Sequence, residues 1–282
     1  MDSMISVFLV VSTVSADTVF VSVEEARSLL AQDAAVLDAR GVGAFAGGHL
    51  PGSAPLDWTA LRDSGGDVGH LSSDTDKLQR ALRSVGVSAG PVIVYDAGRS
   101  GWGEAGRIWW TLSYLGHDAV YILDGGLGAW EAAGQPVSTA PAAPGPGSFV
   151  ARPEPGLRAA LPEVSACVSS GCDVVFWDTR EAREYGGATP YGEARGGHLP
   201  GAVGLHYKDL LDAQGRLRPE AELRSLLEGA GITPEKRVVP YCTGGVRSAL
   251  AVAVLTELGY GDVANYDGSM WEWSADPARP LE

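Results

Sequence analysis

Cysteine is scarce in this chain, which holds only Cys167, Cys172 and Cys242 in 282 residues. A sparse, odd-numbered set does not suggest a disulfide framework, and a reducing cytoplasm fits it better. Cys167 and Cys172 stand five positions apart, matching neither a CxxC redox pair nor a metal knuckle, and read as packed structural thiols. With five histidines beside them there is still no metal-ligand spacing, so neither a metal nor another cofactor is expected. Positive charge is short too: 21 Lys and Arg against 35 Asp and Glu leave a formal net charge of −14. Such a chain is a poor partner for nucleic acid or an anionic membrane, and an anionic substrate would need a local positive site. Long apolar runs are missing. Ile5 to Val11, followed by Ser12, Thr13, Val14, Ser15 and Ala16, resembles a secretory leader, but it is too short to span a bilayer. Asp2, not Lys or Arg, precedes it, so residues 1–16 read as an N-terminal extension.

What the chain does contain is an internal repeat. Gly47-Gly48-His49-Leu50-Pro51-Gly52 recurs letter for letter as Gly196-Gly197-His198-Leu199-Pro200-Gly201. Upstream, Val36-Leu37-Asp38-Ala39-Arg40 parallels Phe176-Trp177-Asp178-Thr179-Arg180. Downstream, Pro91 to Asp96 parallels Arg237 to Cys242, and Leu123-Asp124-Gly125-Gly126 parallels Tyr266-Asp267-Gly268-Ser269. Four blocks in one order mean a duplicated domain, with copies at 17–137 and 157–282 joined by a linker, 138–156, rich in Pro, Ala and Gly. Each copy alternates short apolar strands with helical stretches, which predicts an α/β fold: a mainly parallel sheet with helices on both faces. Reactive groups in such sheets collect beyond the C-terminal strand ends.

Cys242 stands at one of these ends. Arg237 to Tyr241 read as a strand, and the run Ala249 to Leu255 reads as a helix ending at Gly259. Between them Gly244 and Gly245 permit a tight turn whose inward amides favour negative charge, here a thiolate or persulfide. That environment lowers a thiol from its reference pKa of about 8.5. In the first copy the matching residue is Asp96, so that half is read as catalytically silent, supplying the interface or one wall of the cleft. Arg247, Arg180 and Arg195 are the candidate anion-binding residues, with the alternative that Arg247 pairs with Asp178 or Asp267, that Arg180 braces the loop, and that Arg195 is merely solvated. His49 and His198 read as structural hydrogen-bonding residues because one lies in the silent copy. Trp271, Trp273 and Tyr266 either line the cleft or pack the core.

The duplicated Gly-His-Leu-Pro-Gly turn, Asp178-Thr179-Arg180, the Cys242 loop and Tyr266 to Trp273 together resemble the tandem rhodanese-type sulfurtransferases, from about Asp17 to Pro277. The resemblance implies an inactive first domain and a second that carries sulfur as a persulfide on Cys242. Thr243, Gly244, Gly245, Val246, Arg247 and Ser248 would supply the loop around it. Phosphatase-type loops place arginine six positions after the cysteine; here Arg247 is five after and Ser248 is the sixth, the tighter loop suited to one extra sulfur. The implied donor is a small anion and the acceptor cyanide, a small thiol or a thioredoxin-like protein. Mercaptopyruvate-using relatives typically have serine where this chain has Gly244, and arginine where it has Glu184 before Tyr185, so thiosulfate is expected on charge complementarity with Arg247. A persulfide carrier fed by a partner protein is the alternative of another class.

Overall fold

A computed structural model describes residues 14–15, 18–63 and 69–282, so most of the expected N-terminal extension lies outside the described residues. In the first half the strands β1 (Phe20–Val21), β2 (Ala35–Asp38), β3 (Ala54–Pro55), β4 (Val92–Tyr95) and β5 (Val120–Leu123) form one sheet in the order β1-β5-β4-β2-β3. Every pairing in it is parallel. Between the strands run α1 (Val23–Leu30), α2 (Val42–Gly47), α3 (Thr75–Ser84) and α4 (Glu104–Tyr114), and α5 (Gly126–Ala132) follows the last strand. Local chemistry sets several starts: Ser22 and Glu25 close a capping box on α1, and the Asp74 carboxylate accepts Lys77 N–H at the head of α3.

The second half repeats the plan with β6 (Val174–Asp178), β7 (Val203–Gly204) and β8 (Arg237–Tyr241), parallel in the order β7-β6-β8. Parallel bridges Val238 to Val263 and Arg158 to Asn265 extend that sheet to the same width as the first. Its helices are α6 (Leu161–Ser170), α7 (Ala182–Tyr185), α8 (Glu220–Gly229), α9 (Arg247–Glu257) and α10 (Ser269–Trp273). The parallel sheets flanked by helices are the expected α/β architecture, twice over. Pro240 sits inside β8, opposite Trp177.

The repeated motifs form a scaffold. His49 stacks on Phe45 and shares a hydrogen bond with its carbonyl through Nδ1, as His198 does with Tyr185. Tyr95 and Tyr241 each donate a hydroxyl to the buried Asp38 or Asp178 and accept the backbone N–H of Leu50 or Leu199. The strand, the aspartate and the Leu-Pro turn are thereby locked together in both copies.

One core runs through both halves, because α9 is apolar on every side and needs cover on every side. β8 covers one face and α4 another. At that crossing Gly106 lies so close to Leu250 that a Cβ on it would fall 2.5 Å from the leucine Cα. Glu257 Oε2 accepts the N–H groups of Val19 and Phe20 at 2.6 and 3.1 Å, and Trp110 Nε1 donates to Leu157 O at 2.7 Å. The stretch 138–156 is strapped down along the first half: Gly147, Phe149 and Arg152 donate backbone N–H groups to Arg83, Val87 and Leu115.

Cys167 and Cys172 correct the sequence reading, for they form a disulfide, with Cα atoms 5.1 Å apart. Gly171, at φ +71°, reverses the chain at the end of α6 and returns Cys172 onto the helix's last turn, which the five-residue spacing alone does not reveal. The pairing removes the argument from cysteine usage for a reducing compartment. Among the described residues no helix is long and apolar enough to cross a membrane.

Candidate active site

Cys242 leaves β8 beyond its C-terminal end and enters a loop that closes onto α9. Gly245 adopts φ +77°, which turns its N–H toward Cys242 Sγ at 3.1 Å. Ser248 Oγ lies 3.7 Å from the sulfur and donates at 2.7 Å to Asn265 Oδ1, so its proton is committed there. Ser269, a non-glycine residue at φ +51°, accepts Cys242 N–H on its hydroxyl and donates to Tyr266 O; its first-copy counterpart is Gly126, at φ +59°. Met270 and Trp271 N–H groups then bind the Cys242 and Thr243 carbonyls. Burial pushes the Cys242 thiol up, but the Arg247 charge and the backbone N–H groups of Ser248 and Gly244 outweigh it and hold the group below the ordinary thiol value.

The first half offers an internal comparison. At the same junction Asp96 accepts Gly98 N–H at 2.8 Å on one oxygen and Ala105 N–H at 3.0 Å on the other. Burial pushes its carboxyl up, and these two amides pull it back. The fold thus builds an anion seat twice, once for a fixed carboxylate and once around a cysteine.

The first half also holds the loop of the second. Arg107 of α4, 1% exposed, donates to Gly245 O at 3.0 Å and to Gly69 O at 2.7 Å, and its Nη2 lies 3.8 Å from Asp267 Oδ2. Asn265 Nδ2 donates to the same Gly245 carbonyl at 3.0 Å. Two donors thus fix the Gly245 carbonyl, and with it the loop residue whose own N–H faces Cys242 Sγ. Burial, only partly offset by Asp267, lowers the guanidinium to about 10.

Arg247 is 3% exposed, and its partner differs from the two carboxylates expected for it. Its Nη1 and Nη2 bind Glu184 at 2.6 and 2.9 Å, and Nη2 also donates to Thr243 Oγ1 at 2.6 Å. Thr243 Oγ1 is in turn 3.0 Å from Glu184 and from Glu193. Burial raises the Glu184 carboxyl, yet Arg247 holds it below the usual range, and Arg247 is held above its own. The guanidinium lies 5.5 Å from the ring centres of both Trp102 and Tyr191. A free cation offered to a dianion, the ground for expecting thiosulfate, is therefore corrected: Arg247 is already matched.

A cavity of about 180 Å³ opens above the loop, lined by Trp58, Trp102, Glu104, Tyr191, Cys242, Thr243, Gly244, Val246, Arg247 and Trp271. Gly244 is pressed against Trp271, where a Cβ would meet the indole at 2.3 Å. The structure does not bring Arg180 or Arg195 to this cavity. Arg180 is spent on Asp178 and Gly197 O, as Arg40 is on Asp38 and Gly48 O in the other half. Arg195 donates to the carbonyls of Ser274 and Asp276. Gly245 and Ser248 act beneath the cysteine, outside the cavity wall. Trp271 lines the cavity, whereas Trp273 and Tyr266 are core residues.

Sequence reasoning missed Trp58, Trp102, Glu104 and Tyr191. Two signals pointed to three of them. Trp102 lies after β4 in the loop that matches the Cys242 loop, with Glu104 opening the helix that follows, and Tyr191 lies in the segment by which the second copy exceeds the first. Among the described residues no group of three or more His, Cys, Asp or Glu side chains is placed to hold a metal ion.

A strand–loop–helix anion seat on a twice-built parallel sheet defines a rhodanese-like α/β protein. The rhodanese-like domain model matches residues 22–133 and 164–276, and the chain belongs to that family. It is 32% identical to thiosulfate sulfurtransferase of Azotobacter vinelandii over 257 residues, 90% of this chain and 93% of that one. Over 230 residues it is 30% identical to human 3-mercaptopyruvate sulfurtransferase, covering 80% and 76% of the two chains. Among solved structures, the anaerobic ergothioneine biosynthesis enzyme of Chlorobium limicola, in complex with trimethyl histidine, superposes with a TM-score of 0.82. At 24% identity over 94% of this chain and 70% of that one, it is a likeness of fold.

Proposed function

We propose that this protein is a sulfurtransferase that carries sulfane sulfur as a persulfide on Cys242, with residues 17–137 as the silent domain, 138–156 as the strap and 157–282 as the catalytic domain. The observation that carries the reading is the seat itself: a cysteine sulfur 3.1 Å from a loop N–H, with its thiol held low by Arg247 and neighbouring amides. In the first half-reaction the Cys242 thiolate attacks the outer sulfur of the donor, the donor's sulfur–sulfur bond breaks, and its electron pair leaves with the remainder. The loop amides stabilise the charge gathering on the persulfide. In the second, an acceptor nucleophile takes the outer sulfur and returns the electron pair to Cys242.

Thiosulfate is the proposed donor because it is the substrate in the names of relatives at 32 and 33% identity, in place of the charge argument that the Glu184 pairing removes. The human relative's name supports 3-mercaptopyruvate as the second reading. The test is sulfur transfer to cyanide from each donor, with Cys242→Ser as control and intact mass for the one-sulfur increment. Turnover with thiosulfate that vanishes in C242S supports the assignment. Preference for mercaptopyruvate replaces the donor but keeps the nucleophile, and no sulfur increment with either small donor rejects the proposal in favour of a carrier loaded by a partner protein.

A further inference from the structure

Three indoles and a phenol surround the sulfur, and thiosulfate needs none of them. Trp58 and Trp102 come from the first half, Tyr191 and Trp271 from the second, and Val246 completes an apolar wall around about 180 Å³. Apolar cavities of about 150 Å³ admit benzene, so this one has room for a single aromatic ring with a short arm. Its charges point the same way. Arg247 gives both terminal nitrogens to Glu184, while Glu104, with one oxygen on Trp102 N–H at 2.8 Å and its carboxyl pushed up by burial, has no cationic partner among the described residues. With a persulfide anion at the floor, the lining is net negative. An acceptor carrying a carboxylate or sulfonate would meet like charge, and among the described residues of the lining no unpaired cation; Lys208, over the Trp102 ring, stands outside it.

On the reading that Cys242 transfers sulfur, we propose that the acceptor is a small aryl or aralkyl thiol whose only ionisable group is the thiol itself. Its ring packs among Trp58, Trp102 and Trp271 while its sulfur reaches the outer sulfur on Cys242. The acceptor thiolate attacks that sulfur, the bond between it and Cys242 Sγ breaks, and the electron pair stays on Cys242 as thiolate. The product is the acceptor's persulfide, the acceptor's proton passes to solvent or to that product, and no oxidant or reductant is consumed.

The experiment is a single turnover. Protein loaded with sulfur from thiosulfate and freed of donor is discharged by benzyl mercaptan, 2-mercaptoethanol, 2-mercaptoethanesulfonate and, as reference, cyanide, with rates referred to the thiolate concentration. Benzyl mercaptan is expected to saturate and to exceed mercaptoethanol by about tenfold, the scale of one to two aromatic contacts, with the sulfonate slowest. In Trp102→Ala, at a residue 43% exposed and so tolerant of truncation, the benzyl-to-mercaptoethanol ratio falls toward one. In Glu104→Gln the sulfonate gains on mercaptoethanol. Equal rates for the three thiols, or a fastest sulfonate, overturn the acceptor assignment. If thiosulfate does not load the protein, 3-mercaptopyruvate is used in its place; failure of both to load, or of cyanide to discharge, sinks the sulfur-transfer reading instead.

Discussion

Glu184→Gln separates the charge that Arg247 carries from the charge it has to offer. Glu184 is fully buried and takes both terminal nitrogens of Arg247 at 2.6 and 2.9 Å. Two unit charges 4 Å apart interact by about 4 kcal/mol at an effective dielectric of about 20, so this carboxylate cancels much of the field that Arg247 would exert on its surroundings. Glutamine keeps the shape and one acceptor and removes the negative charge. The Cys242 thiolate then feels an unscreened cation, and its pKa falls further, by about one unit or about 1.4 kcal/mol. The same cation faces incoming thiosulfate, so KM for that dianion drops about tenfold and becomes more sensitive to salt. The cost is stability, since breaking a buried ion pair from one side typically destabilises by about 3–5 kcal/mol. Alkylation by neutral iodoacetamide across pH reads the thiol directly, calorimetry reads the fold, and initial rates read KM. The alkylation curve should move to lower pH, because the thiolate fraction rises as pH passes the pKa. A folded E184Q protein with an unmoved alkylation curve and an unmoved KM would refute the argument that Glu184 screens Arg247.

Arg107→Met is expected to raise the Cys242 pKa and slow sulfur uptake about tenfold, because a cation and the outward hold on Gly245 O are both lost; Arg107→Lys should recover the pKa more fully than the rate. Burial raises Asp124 from 3.8 to about 6, so its native form prefers the proton. The stability this confers is complete below the unfolded-state value and lost as pH climbs through about 6. Asp124→Asn, which keeps an acceptor for Leu217 N–H, should therefore raise stability at neutral pH by up to about 2 kcal/mol after allowance for partial exposure, seen as a higher Tm, and match the parent near pH 4. Reducing the Cys167–Cys172 bond opens a short loop and should lower stability by about 2 kcal/mol without changing iodoacetamide reactivity at Cys242, as thermal melts with and without dithiothreitol would show.

The scaffold was legible because duplication exposes it. Residues that recur in a copy without the cysteine, such as His49 with His198 and Arg40 with Arg180, announce a job common to both halves, and the structure gives them the same stacking and the same buried pairs. Cys242 was legible because strand, two glycines and helix are contiguous in sequence. The partner of Arg247 was not: Glu184 lies 63 positions away and meets it only after β6, α7 and β8 have assembled. The aromatic wall was hidden for the same reason, since Trp58 and Trp102 come from one half and Trp271 from the other. Position relative to a motif can be read from a chain, but the cancellation of one charge by another requires the fold.

α9 has no face left for water, and Gly106 leaves no room for a side chain where α4 crosses it. The half that carries no cysteine at its loop is also the half made first. Its own α4 is buried along the same crossing, so each half carries an apolar helix that its own sheet covers on one face and the other half covers on another. The Cys242 loop, held by Arg107 of the first half, therefore takes its full set of contacts only in a finished molecule. In that sense each copy is part of the other's core, and a chain cut down to either copy would present an apolar helix to water.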